Sequence, residues 1–156
     1  MSAGLLTHSA ADVAAQALID LGLGVEVDGS STAWQVSVDI EPDSPDEVLG
    51  VKTTTGRTQG SSMITGIIER SFGVQVLIRS RLSNVGAQKA ESIRDAMETR
   101  VYGMDVTVPA ADGVPAGTYR INDFDSVGDV LPLGLEEGSN RFFHSVNGTV
   151  VLKQLS

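Results

Sequence analysis

Residues 72–97, FGVQVLIRSRLSNVGAQKAESIRDAM, change their hydrophobic period within a few positions. Val74, Val76 and Ile78 alternate with Gln75, Leu77 and Arg79, the period of two that turns one side of a strand toward a core. Ala90, Ile93, Met97 and Val101 then recur at spacings of three and four, the period of a helix with one apolar stripe. A chain that makes this switch must combine sheet and helix, and this unit carries none of the side chains that catalysis usually needs.

The flanking sequence extends the pattern. Ser9-Ala-Ala-Asp12 has the form of a capping box, and Ala10, Val13, Ala14, Ala17, Leu18 and Leu21 give a first helix with one buried face, ending at Gly22. Asp28-Gly29 reads as a turn before a half-buried strand in which Trp34, Val36, Val38 and Ile40 alternate with Gln35, Ser37, Asp39 and Glu41. Pro42 and Pro45 stop that strand. Val48 to Thr53 reads as another, and Thr54 to Ser62, rich in Gly, Ser and Thr without an apolar period, reads as a long loop or the tip of an extended hairpin. Met63 to Glu69 and Phe72 to Ser80 follow as strands, Asn84 as the N-cap of the second helix, and Gly103 as its stop. Extended structure is expected over Met104 to Val108, Thr118 to Phe124 and Val127 to Leu135. Arg141 to Val146 and Thr149 to Leu155 flank Asn147-Gly148, a signal for a type I′ hairpin. Residues 1–156 thus read as a single α+β domain: a mostly antiparallel β-sheet with two α-helices packed on one face, plus the long loop or hairpin.

Composition narrows the function. The chain has no cysteine, which removes disulfides, thiolate metal sites and a cysteine nucleophile. No basic residue precedes Lys52, and no apolar run approaches the roughly 20 residues of a membrane span, so a cytosolic protein at synthesis is expected. The first 51 residues hold nine acids and no Lys or Arg; residues 52–100 carry a net charge of +4 and residues 101–156 of −4. With one modestly basic segment, tight binding to duplex nucleic acid is not expected.

The sequence carries few signals of chemistry. His8 and His144 stand alone, with no second histidine at ligand spacing, and read as structural or surface residues. Gly50 to Thr58 imitates a phosphate-binding loop but has five residues between its glycines, Arg57 in place of lysine and no following helix. Asp123-Phe-Asp125 starts like a calcium loop but lacks the closing carboxylate, and reads as a turn. No catalytic, cofactor-binding or metal-binding residue is nominated. Arg79 and Arg81, with Arg70 nearby, read as the polar face of one strand, either solvated or at a subunit interface. The N-terminal acids, among them Asp39 and Glu41, are their candidate partners in a head-to-tail contact. Phe142 and Phe143 face opposite ways, one to the core and one to an interface.

The order of elements, with the Trp34 strand, the Pro45-Asp46 loop running into Thr55-Gly56, Phe72-Gly-Val-Gln-Val-Leu-Ile-Arg79, a helix and the closing Arg141-Phe-Phe-His-Ser-Val-Asn147, resembles the tail terminator, or minor tail, proteins of long-tailed bacteriophages. The resemblance spans nearly the whole chain and is one of pattern and size. It implies a virion protein, assembled in the host cytoplasm, whose hexameric ring caps the tail tube, ends its polymerisation and joins the tail to the head. The implied partners are other copies, the major tail tube protein and the head-completion or stopper connector. DNA would pass through the ring without specific binding, and no membrane or cofactor is involved. The resemblance places Pro45, Asp46, Lys52, Thr55, Gly56, Arg57 and Gln59 at the tube and matches Arg79 to the family's strand-terminal arginine; with the segregated charge and the Phe142-Phe143 alternation, Arg70, Arg79, Arg81, Asp39, Glu41 and Phe143 are expected at the subunit interface. The alternatives are another neck or head-closure protein, or a small ligand-binding α+β domain.

Overall fold

The computed structural model describes residues 7–26, 32–39, 45–61, 68–111, 113–126, 128–136, 138 and 140–155, with the backbone alone for 55–61 and 68–69. In chain order these form α1 (Ala10–Asp20), β1 (Val25–Glu26), β2 (Gln35–Val38), β3 (Val48–Ser61), β4 (Ile68–Ser80), α2 (Ser83–Thr99), β5 (Met104–Val108), β6 (Gly117–Ser126), β7 (Leu131–Leu135) and β8 (Phe142–Gln154). One sheet holds every strand, in the order β1-β2-β3-β4-β8-β6-β5. Because β4 lies along one edge of β8, β6 and β7 share the other edge end to end. The fold is α+β, as the two hydrophobic periods require.

The capping box starts α1: the Ser9 hydroxyl accepts the Asp12 amide at 3.1 Å while the Asp12 carboxylate accepts the Ser9 amide at 3.2 Å. The helix is buried beyond the single stripe its sequence suggested, since Ala11 and Ala15 are covered along with Ala10, Val13, Ala14, Ala17 and Leu18. Its neighbours explain this. α1 packs on β2 and β3 toward one edge of the sheet and on β5 at the other edge, so the sheet curls around it. Small alanine side chains let backbones approach from several sides, and the helix fills the space that a twisted sheet encloses.

α2 lies on the same side, against β4, β8 and β6, with Ala90, Ile93 and Met97 in the shared core beside Val101. It begins two residues earlier than Asn84 implied: its N-cap is Leu82, whose side chain caps nothing. A β-carbon on Gly86 would meet the Ser80 hydroxyl and, at 2.9 Å, His144 Nδ1, so that glycine lets the helix close on β4 and β8.

Two expectations fail at the edges of the pattern. The first concerns β1, β2 and β3, which pair in parallel, so the chain between β1 and β2 is a crossover and not a hairpin turn; Asp28-Gly29 itself lies outside the described residues. Gln35 and Ser37, assigned to a polar face, are buried, as befits an inner strand of a parallel group. The second is Asn147-Gly148, which makes no turn at all. β8 runs straight through it, with Asn147 opposite Gln75 and Gly148 between Val74 and Ser126. Gly148 is needed there because the Phe124 ring covers its α-carbon. Thr54 to Ser61 belong to β3, so the polar segment is one side of an extended hairpin.

Candidate interaction surface

From Lys52 onward β3 has β4 as its single neighbour among the described residues, because β2 pairs only as far as Val51. Pairing with β4 continues to Ser61 opposite Ile68, through irregularities between Thr53 and Thr55 and between Thr58 and Gly60. The result is an arm with roughly 30 Å of strand edge that no strand among the described residues covers. Thr55, Gly56, Arg57 and Gln59 lie on it. Pro45 and Asp46, grouped with them from sequence, precede the opposite end of β3, roughly 30 Å away along the strand. The resemblance joined two places that the fold separates.

At that far end two arginines hold the chain. Arg79 is 3% exposed and donates to the Pro45 carbonyl oxygen at 2.7 Å and to that of Asp46 at 3.2 Å. Arg141, also buried, donates to the Glu136 carboxylate at 2.8 Å and lies 3.7 Å from that of Asp46. Arg79 is therefore an internal clamp on the crossover into β3, which corrects its assignment to a polar outer face. Arg81 stands exposed just past β4, and Glu41 lies outside the described residues. Arg70 sits over the Phe72 ring at 5.0 Å, beside a cleft of about 270 Å³ that Thr7, His8 and Thr53 help to line.

The face of the sheet turned away from the helices carries a second cleft, of about 410 Å³, lined by Asp39, Lys52, Leu77, Leu133 and Phe143. It brings together three nominated residues from three distant segments. Leu77 and Phe143 come from β4 and β8, and Leu133 from β7, all of whose residues are exposed. Leu131, Leu133 and Leu135 are 49%, 53% and 55% exposed. Sequence reasoning missed these leucines, although their spacing of two, and Leu77 on a face assigned as polar, were visible signals. Asp39 adopts a left-handed conformation, φ 67°, at the end of β2, a backbone state that costs about 1–3 kcal/mol in a residue other than glycine.

No group of three metal-ligating side chains occurs among the described residues. His8 Nδ1 lies 2.7 Å from the Tyr119 hydroxyl, whose oxygen also accepts the His8 amide. Burial raises the Tyr119 pKa, partly opposed by hydrogen bonds from the His8 amide and from Thr7. His144, on β8, is buried against α2 at Gly86, and desolvation lowers its pKa. A lowered value means that the unfolded chain takes up the proton first. His144 therefore contributes full stability above the unfolded pKa of about 6.5 and progressively less as the pH falls below it. Thermal melts should show a loss of stability on acidification from about pH 6.5 to 5 that is shallower in His144→Gln; identical slopes would remove His144 as a source.

No protein-family model matches the chain, and no curated protein matches it. Among solved structures, a chain in the virion of a native gene transfer agent (GTA) particle aligns over 76% of this chain and 78% of its own, with 12% identity and a TM-score of 0.44, a likeness too distant for any role to be read across.

Proposed function

We propose that the chain is a structural virion protein without a catalytic role: a subunit of a ring, hexameric by its sequence resemblance, that caps the tail tube, stops its growth and joins it to the head connector. The observation that carries this reading is the arm built by β3 and β4. A long strand edge with no neighbour is a liability in a free monomer and an asset in a subunit, since its amides and carbonyls can bond to an adjoining protein. An acidic chain around a conduit also repels passing DNA, which a basic wall would retain.

Arm shortening tests this. Thr58 and Arg70 face each other across the hairpin, so replacing residues 59–69 with Asn-Gly closes it by a two-residue turn. The variant is expected to melt like the parent, because β8 reaches β4 only as far as Arg70, yet to stop co-sedimenting with tail tubes. Undiminished tube binding would take the arm out of the account.

A further inference from the structure

Tyr102 is the most exposed large apolar side chain among the described residues, at 75%. It stands in the turn from α2 to β5, two positions after Arg100, which is also exposed and has no side-chain partner among the described residues. An aromatic ring held out into water beside an unpaired cation is the composition of a binding hot spot. Asp105, the nearest acid following it, is already engaged: Arg120 bonds it at 2.7 and 3.1 Å and holds its carboxyl below the usual range.

The cleft on the far face of the sheet is complementary. Leu77, Phe143 and Leu133 offer an apolar seat, Phe143 an aromatic neighbour, and Lys52 a cation that favours an aromatic ring over an aliphatic chain. Asp39 lines the same cleft, exposed, with no side-chain partner among the described residues, so it can receive Arg100. The knob stands just past the end of α2 and the cleft on the sheet face the helices leave open.

We infer that Tyr102 of one copy seats in the Asp39–Phe143 cleft of the next, with Arg100 against Asp39. Such a contact is heterologous, and repeated around an axis it closes a ring. The inference rests on the proposed self-association and names the surfaces that make it.

The absence of native cysteine makes the test direct. Tyr102→Cys and Leu133→Cys, both at exposed positions, are oxidised separately and mixed, alongside native mass measurement of the concentrated parent protein. The expected result is a mixed disulfide between the two variants, with no crosslink in Leu133→Cys alone. Tyr102→Ala should weaken self-association at least about ten-fold, Tyr102→Phe should retain it, and the exchange Asp39→Arg with Arg100→Asp should recover what either single change loses. Multimers without the mixed disulfide overturn this contact and leave the ring standing. A Leu133→Cys self-crosslink overturns it in favour of a two-fold contact of cleft with cleft. A parent that stays monomeric overturns both the contact and the self-association, and assigns the cleft to a different occupant.

Discussion

Arg79→Glu is expected to lose about 3–5 kcal/mol of stability, a fifth or more of the roughly 5–15 kcal/mol available to a domain of this kind. The change removes both guanidinium bonds to the Pro45 and Asp46 carbonyl oxygens and places a carboxylate among acceptors in a buried site. Its neighbourhood offers no relief, since Arg141 is already shared between Glu136 and Asp46. The crossover into β3 would come away from the sheet and expose Val48, which is fully buried. Urea denaturation checks this by a large drop in midpoint. A variant as stable as the parent would mean that the clamp holds nothing. Read from sequence as one of a pair of surface arginines, Arg79 invited the opposite expectation, an assembly defect in an intact fold.

Gly148→Val should be nearly as damaging, by about 3 kcal/mol, a loss at the upper end of what overpacking a core brings. Its first β-carbon would meet the Phe124 ring and, at 2.9 Å, the Asp125 carbonyl oxygen. A side chain can rotate away, but the backbone of a paired strand cannot move without breaking its ladder to β8. Phe124→Ala in the same chain should recover part of the loss by vacating the ring's place. If Gly148→Val alone melted at the parent's temperature, the close seat of the Phe124 ring over Gly148 would be wrong.

These two sites show where sequence reasoning held and where it stopped. Periodicity located the buried faces of β4 and α2, because Val74, Val76, Ile78, Ala90, Ile93 and Met97 are set by local geometry that repeats along one element. The Ser9 to Asp12 cap was legible for the same reason: all its atoms belong to one turn. Gly148 failed the same logic because its neighbour is Phe124, brought over it by strand order and not by the adjacent Asn147. The Asn-Gly pair has the same appearance whether it bends a hairpin or admits a ring from another strand. Arg79 failed likewise, since a polar residue at an alternating position looks solvated until a crossover is laid on it. The cleft assembles Asp39, Lys52, Leu77, Leu133 and Phe143 from five segments, and only sheet order puts them side by side. Of these, Asp39, Lys52 and Phe143 were nominated from charge and from the resemblance, without any indication that they meet.

The ring itself is the claim on which the arm and the cleft depend. Electron microscopy of the purified protein mixed with assembled tail tubes, with native mass measured on the same sample, addresses it directly. The account predicts six-fold rings of about 98 kDa, six copies of a 16.3 kDa chain, seated at tube ends that no longer grow. Single 16.3 kDa particles that leave tube ends bare and growing would contradict it.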